Sequence, residues 1–482
     1  MADQRDESPH AALSRRRMLF AAGAALPGAG LLTVGAAAGQ AHAQEPALPQ
    51  AAVPPTAGLP LVGGTDFPIG VFWPPPPTQV TIERYQEVAD AGFTFLHNGN
   101  YLWDATGIRY GLDLARQTGL KMLVTGDPLE VALGSNFWAE GDPTGNRPQV
   151  SASDTEVSLR AVINTYKGYA SFAGLSLSDE PAANRFGTLA ALIDTTRRIA
   201  PATLPFVNLR RIGQPAGAWG TPGMDAAAYT AYLDQAVAAM APSLLSFDRY
   251  PLLANGSDDP DYYQNWAIVR AAGLKANLPT WTYIQSVQYA GHRLPTAAEL
   301  AWQVNTSLAY GAKGIQYFTY WTPDPSRGAN FTTAQGLITV AGERTPLYDA
   351  AKQLNTGWLR PVGRELKPLV SQSVVHAGDT PLPAGATAFA PDDWISVVNG
   401  DAVVLGVFAA APDATPAGAP VRWLLAANRS YARGAAARII LRPPVSGALF
   451  DPATGQYTPQ EGQAVRLDLP AGGAALLKLT SG

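Results

Sequence analysis

The stretch Gly174-Leu175-Ser176-Leu177-Ser178-Asp179-Glu180-Pro181 decides the fold. Small and apolar residues run up to two adjacent carboxylates, and a proline stops the run. Read as a strand, it alternates its side chains between two faces. Ser176, Ser178 and Glu180 share one face; Leu175, Leu177 and Asp179 share the other. That division suits a strand of a parallel barrel, with leucines under the outer helices and small residues in the crowded interior. Glu180 then stands at the carboxyl end of the strand and faces the barrel mouth, where barrel enzymes keep their chemistry. Asp179 supports it from the other face.

Outward from this stretch the pattern repeats. Strands are expected over 68–73, 93–97, 121–126, the stretch itself, 204–208, 244–248, 279–284 and 314–321. Each is followed by helical spacing of apolar residues, over 78–91, 107–118, 152–172, 184–200, 225–240, 261–272, 296–310 and 346–359. Gly92, Gly119, Gly273 and Gly311 close four of these helices. Thr296, with Glu299 three positions on, forms a capping box. Eight strand–helix pairs over roughly 290 residues match a (β/α)8 TIM barrel. A doubly wound open sheet would need a Gly-rich phosphate turn after an early strand, and the chain has none. Beyond about residue 365 the helical spacing disappears. Short β-branched runs over 402–408, 422–426, 437–441, 464–469 and 474–479 alternate with turns such as Asp451-Pro452-Ala453-Thr454-Gly455. They predict an antiparallel β-sandwich.

The amino terminus reads as an export leader. Ser14-Arg15-Arg16-Arg17-Met18-Leu19-Phe20 resembles the twin-arginine pattern, a weakly apolar stretch follows to about residue 38, and Ala41-His42-Ala43 offers a small-x-small cleavage site before Gln44. The expected organisation is a leader over 1–43, a Pro/Ala/Gly-rich linker over 44–64, a barrel over 65–362 and a sandwich over 363–482. A periplasmic or extracellular protein is implied. No later stretch is long and apolar enough to span a bilayer.

Composition narrows the chemistry. Of 482 residues 15% are charged, the net charge is −4, and no basic run lies outside the amino terminus, so nothing points to nucleic acid. The chain has no Cys, which removes disulfides, thiol nucleophiles and cysteine metal sites. Beyond the leader only His97, His292 and His376 remain, without metal-ligand spacing, so neither a metal nor a cofactor is expected. What gathers at the expected strand ends is a mixture of acids, amides and aromatics: Trp73, His97, Asn98, Asp127, Asp179, Glu180, Asn208, Asp248, Tyr250, Trp281, Tyr283, Gln285, Tyr320 and Trp321. Trp138 joins them from a long loop over 127–151. Aromatic faces stack on sugars, and hydroxyls pair with amides and acids, so this mixture predicts a carbohydrate ligand. Strand six places Ser246, Asp248 and Tyr250 on one face and Phe247 on the other. Glu180 and Asp248 are therefore the best inward pair of carboxyls for glycosidic bond cleavage, one as acid and one as nucleophile or base. Burial among aromatics would raise the pKa of one of them. The competing reading pairs Asp248 structurally with Arg249 or Arg210.

Three segments resemble bacterial barrel glycoside hydrolases of the β-galactosidase-like and cellulase-like retaining group. Ser178-Asp179-Glu180-Pro181 is similar to their strand-four motif, which supplies the acid/base. Residues 308–321, Leu-Ala-Tyr-Gly-Ala-Lys-Gly-Ile-Gln-Tyr-Phe-Thr-Tyr-Trp, resemble their passage from helix seven to strand eight, and Arg344-Thr345-Pro346-Leu347-Tyr348 resembles the entry to their last helix. The resemblance implies a catalytic barrel with a C-terminal β domain. It breaks at strand seven, where that group carries a nucleophilic Glu and this chain ends Trp281-Thr282-Tyr283-Ile284-Gln285. Two mechanisms fit the departure. Asp248 serves as second carboxylate, similar to the α-galactosidase-like barrels that use strands four and six. Alternatively Asp179 and Glu180 act together, similar to substrate-assisted β-N-acetylhexosaminidases. A carbohydrate-binding barrel without catalysis is the third reading.

Overall fold

The alternating runs of the first half close on themselves. The computed structural model describes residues 56–98, 104–134, 152–213, 223–411 and 420–482, and in it eight parallel strands form a closed barrel in chain order. They are β1 (Ile69–Phe72), β2 (Phe95–His97), β3 (Lys121–Val124), β4 (Phe172–Asp179), β5 (Leu204–Leu209), β6 (Leu245–Asp248), β7 (Thr280–Gln285) and β8 (Gly314–Phe318). Alternation sorts the side chains. Ile69, Val71, Leu96, Val207, Phe247 and Ile315 face outward into the layer under the helices. Phe95, Leu123, Leu204, Phe206, Leu244 and Trp281 fill the interior. Gly314 is required there: a Cβ at that position would lie 2.6 Å from the Trp281 ring. Leu59, Leu61 and Val62 join the interior cluster beside the strand starts at Leu204 and Leu244. The last residues of the expected linker, 56–64, are therefore packed, and they close the lower end of the barrel.

Ten helices are described: α1 (Ile82–Asp90), α2 (Ala105–Gln117), α3 (Pro128–Gly134), α4 (Ala152–Tyr166), α5 (Phe186–Ile199), α6 (Ala226–Met240), α7 (Tyr262–Ala276), α8 (Ala297–Ala309), α9 (Pro346–Leu354) and α10 (Arg360–Leu366). Four depart from the sequence expectation. α3 lies inside the region expected as a loop. α4 ends at Tyr166, so Phe172 already belongs to β4. α7 passes through Gly273 and is capped by Asn277 in the left-handed region. Gly273 serves close packing instead, since a Cβ there would lie 2.7 Å from the Thr280 side chain. The last helix continues past residue 359 through a π-helical turn (Asn355–Leu359) into α10. Pro361 has no N–H to donate, and a wider turn absorbs that loss. The expected barrel boundary at residue 362 thus falls within α10.

The C-terminal part is a β-sandwich. A six-stranded antiparallel sheet has the order β15-β14-β17-β12-β11-β9 and faces a three-stranded sheet ordered β10-β13-β16. Their ranges are β9 (Leu369–Ala377), β10 (Ile395–Gly400), β11 (Val403–Ala410), β12 (Val421–Asn428), β13 (Ala435–Leu441), β14 (Val445–Asp451), β15 (Gln456–Pro459), β16 (Ala464–Leu469) and β17 (Ala474–Ser481). The turn at 451–455 connects β14 to β15. Val403, Leu405, Leu424, Ile439, Val465 and Leu477 fill the space between the sheets. The other face of the large sheet, through Val404, Phe408, Leu425 and Leu476, shares one core with Trp302 and Leu308 of α8. Among the described residues no helix is long and apolar enough to cross a membrane.

Candidate active site

The mouth is built from β4, β5 and β6. Leu175 and Leu177 pack outward, as the alternation predicts. Between Ser176 and Ser178 the register against β5 slips: Ser176 pairs with Phe206, but Ser178 pairs with Val207 and Asp179 with Asn208. One extra residue is accommodated, a β-bulge, and beyond it the faces exchange. Asp179 is therefore an inward residue, on the face of Phe206 and Asn208, which corrects its expected place behind the strand. The next residue, Glu180, has φ +44°. Two hydrogen bonds hold it in this left-handed region: its N–H donates to the Asn208 carbonyl at 2.8 Å, and its carbonyl accepts from Arg210 Nε at 2.9 Å. The Pro181 carbonyl accepts from the Tyr232 hydroxyl at 2.8 Å.

Asn208 is the hub. Its Nδ2 donates to Asp179 Oδ1 at 3.1 Å and to Asp248 Oδ1 at 2.7 Å, and its Oδ1 accepts from Ser246 Oγ at 2.9 Å. The two carboxylate oxygens lie no further apart than these two bonds end to end, about 5.8 Å. Arg249 does not claim Asp248; its guanidinium turns away to Asp259, Asp261 and the Ile212 carbonyl. Arg210 serves the Glu180 backbone. The structural alternative for Asp248 is thereby removed.

The acids raise one another. Burial, then the charges of Asp248 and Asp179, pushes the Glu180 carboxyl well above its usual range. Burial, then Asp179, pushes Asp248 up to about 7, and the Asn208 amide and Arg211 restrain the rise. Tyr250, Tyr283 and Tyr289 ring the acids. Burial holds these phenols neutral, and Asp248 adds to the effect on each.

An aromatic wall completes the mouth. Phe318 stacks on Tyr250 with centroids 5.1 Å apart and on Phe72 at 5.8 Å. Trp73 packs on Phe331 at 5.2 Å, and Tyr289 stacks on His292 at 4.9 Å. His97 Nδ1 pairs with the Tyr283 hydroxyl at 2.9 Å. Asp179, Glu180, Asp248, Asn208, Tyr250, Tyr283, His97 and Trp73 are thus brought together, with Asp179 on the opposite face from the one its alternation suggests.

The remaining expected residues stand elsewhere. Trp281 is 0% exposed and fills the barrel beneath the mouth, so it offers no stacking face. Gln285 is also 0% exposed, and its amide is spent on the backbone of Leu252 and Arg293. At the position where the resembling enzymes carry a nucleophile, this chain has a strut. Tyr320 and Trp321 lie in the outer layer, against Tyr348 and under Arg84, because β8 ends at Phe318 and the chain turns out. Asn98 ties β2 to β3 by accepting the Thr125 N–H at 2.8 Å. Asp127 accepts the first N–H groups of α3 and the Tyr166 hydroxyl. Trp138 lies outside the described residues. Among the described residues no three His, Asp or Glu are placed to hold a metal.

Sequence reasoning missed Phe318, Tyr289, Phe331 and Arg211. Phe318 had a signal: Gly314 must face Trp281, so alternation puts Gln316 and Phe318 inward as well. Tyr289 and Arg211 lie on loops and Phe331 on a single 3-10 turn (Ala329–Phe331), too short to carry a periodicity.

No protein-family model and no curated protein matches the chain. Among solved structures it is similar to a GH27 β-L-arabinopyranosidase from Geobacillus stearothermophilus, at 10% identity over 87% of this chain and 97% of that one, with a TM-score of 0.47. It is similar to α-galactosidase I from Mortierella vinacea at 11% identity over 87% and 98% of the two chains, with a TM-score of 0.45. It is also similar to a glycoside hydrolase family 30 subfamily 8 xylanase from Clostridium acetobutylicum, at 12% identity over 86% and 96%, with a TM-score of 0.42.

Proposed function

We propose that this barrel hydrolyses an O-glycosidic bond of a carbohydrate, with Asp179, Glu180 and Asp248 as the reacting carboxyls. The observation that carries the reading is the Asn208 amide bridging Asp179 and Asp248, which keeps their oxygens within about 5.8 Å. Carboxyls about 5–5.5 Å apart flank the anomeric carbon in enzymes that retain configuration; a gap of about 6.5–9.5 Å accompanies inversion. The spacing supports retention.

The raised proton affinities of Asp248 and Glu180 divide the work. Asp179 is the anion whose charge raises the other two. It attacks the anomeric carbon as Asp248 passes its proton to the leaving oxygen and the glycosidic bond breaks. Asp248, now ionised, takes a proton from the water that releases the sugar from Asp179. A carboxyl titrating near 7 suits both halves of that cycle. Glu180, whose carboxyl burial and the charges of Asp248 and Asp179 push well above its usual range, donates a hydrogen bond to a sugar hydroxyl as a neutral acid. This assignment moves the acid/base role from Glu180 to Asp248. Glu180 as acid beside an orienting Asp179 is the second reading. Their adjacency on one strand and the high proton affinity of Glu180 favour it.

A panel of aryl glycosides and polysaccharides tests the proposal. The first product should keep its anomeric configuration by NMR. Asp248→Asn should lower kcat by about 10²–10⁴. Azide should rescue Asp179→Asn by forming a glycosyl azide. Glu180→Gln, which can still donate, should lose only about tenfold. Loss of all activity in Glu180→Gln, with selectivity for N-acetylhexosaminides, selects the second reading. Binding of glycans without cleavage of any would replace both with a binding barrel. The leader-like terminus supports export by the twin-arginine route. A reporter fused after residue 50 should leave the cytoplasm, and lysines at Arg16 and Arg17 should retain it there.

A further inference from the structure

One buried side chain beneath the mouth has no explanation in packing. Gly314, Gln316 and Phe318 share the inner face of β8, and on β7 Trp281 lies in register with Gly314 and Tyr283 with Gln316. On its other side Gln316 pairs with Gly70 of β1, whose place is filled by the Phe95 ring, 2.3 Å from where a Cβ would stand. Gln316 is 0% exposed. Neither its Oε1 nor its Nε2 completes a hydrogen bond of good geometry among the described residues, and neither does Trp281 Nε1. A buried amide left in this state lowers stability, and an apolar side chain of the same size would not.

Its neighbours suggest what the amide does. Trp281 Nε1 lies against Gly314, 2.7 Å from where a Cβ would stand, one inward position below Gln316. An indole N–H only donates, so Oε1 is the amide atom that can meet it, which leaves the Nε2 hydrogens for the Tyr283 hydroxyl on the neighbouring strand. Burial, then the charges of Asp179 and Asp248, raises the Tyr283 phenol, and the Gln316 amide works against them as a hydrogen-bonding neighbour, which is the sign of a donor. The hydroxyl has one proton to give, and His97 Nδ1 at 2.9 Å is there to accept it.

We infer that Gln316 is a positioning residue: its amide N–H turns the Tyr283 proton onto His97 Nδ1, so that His97 keeps its own proton on Nε2. Tyr283 then has no proton left to offer the anionic Asp179, whose attacking oxygen stays unblunted by a phenolic donor. This catalytic consequence rests on the glycosidase reading above; the tautomer of His97 does not.

The tautomer is read in the wild-type protein at neutral pH from nitrogen–proton correlations of the histidine rings, with the His97 signals assigned by their loss in His97→Gln. A proton on Nε2 alone is expected; a proton on Nδ1 would overturn the inference with no variant needed. Gln316→Met keeps the volume and removes the amide. It should melt no lower than the wild type, mix the two His97 tautomers, and lower kcat by about tenfold while KM moves less than about twofold. Gln316→Glu, which accepts when ionised, should draw the phenolic proton to itself and shift His97 toward Nδ1–H. An unchanged kcat in Gln316→Met would remove the positioning role. So would a variant that melts below the wild type and keeps the Nε2 tautomer, since Gln316 would then serve packing alone. A wild-type protein that cleaves no glycoside would sink the glycosidase reading, and with it the effect on Asp179, whatever the tautomer.

Discussion

Asp248 links the chemistry of the mouth to the stability of the molecule. Its carboxyl titrates near 7 in the folded protein against an ordinary value of 3.8. Between these values the folded state holds a proton that the unfolded chain has released, so the unfolding free energy falls as pH rises through that window and levels off above it. Glu180, whose carboxyl is also raised, adds a fall of the same sign. Asp248→Asn removes one such proton. In denaturant melts at pH 8 that variant should be more stable than the wild type by on the order of 1–3 kcal/mol, after allowance for screening in an open mouth, and the difference should shrink toward pH 4. Activity should decline as pH rises past about 7. Asn208→Leu tests the hub. The amide holds Asp248 down, so its loss should move the alkaline limb upward while kcat falls by about 10–100-fold. An unmoved limb would show that the amide only shapes the mouth.

At the scale of elements, periodicity was readable wherever one face of a segment is buried. All eight barrel strands and, apart from α3, the helices between them were visible because an outer layer of leucines, valines and isoleucines must face the helices. The capping box at α8 was visible because its partners lie three positions apart in sequence, and it forms: Thr296 Oγ1 accepts the Glu299 N–H, and Glu299 accepts the Thr296 N–H at 2.7 Å. Thr296→Ala should cost about 1 kcal/mol in unfolding free energy and leave kcat/KM unchanged. The bulge in β4 was not visible. A bulge is a relation between two strands, and Ser176-Leu177-Ser178 alternates perfectly by itself; only the register against Phe206 and Val207 reveals the extra residue. The sequence therefore placed Glu180 at the mouth but sent Asp179 to the wrong face. The same limit explains Trp281 and Gln285. Their types suit a sugar site, yet one is needed to fill the barrel and the other to hold a loop.

At the scale of the molecule, the barrel and the sandwich are fastened together at α8. Gly472 has φ +68°, and a Cβ there would lie 2.0 Å from the Ala298 carbonyl oxygen; Asn305 Nδ2 donates to the Gly472 carbonyl at 2.9 Å. Gly406 lets the large sheet approach Ala309 equally closely. Trp302 and Leu308 share their core with Val404, Phe408 and Leu425. The two parts should therefore unfold together, in one calorimetric transition. Gly472→Ala should lower that transition as a whole by several kcal/mol, through the clash and the left-handed backbone. Two separated transitions, with only the later one shifted, would show the parts to be independent. The sequence by itself determined the order of elements, the barrel followed by a sandwich, and the strand ends at which the acids stand. Those follow from short-range alternation and from composition, which one chain carries in full. Only the tertiary structure decided which carboxyls face one another and which aromatics form the wall. Each of these depends on register between strands and on loops that meet across the mouth. At Ser178-Asp179-Glu180-Pro181 the two contributions divide within a single strand: its place came from alternation, and the facing of its two acids from a bulge that only β5 exposes.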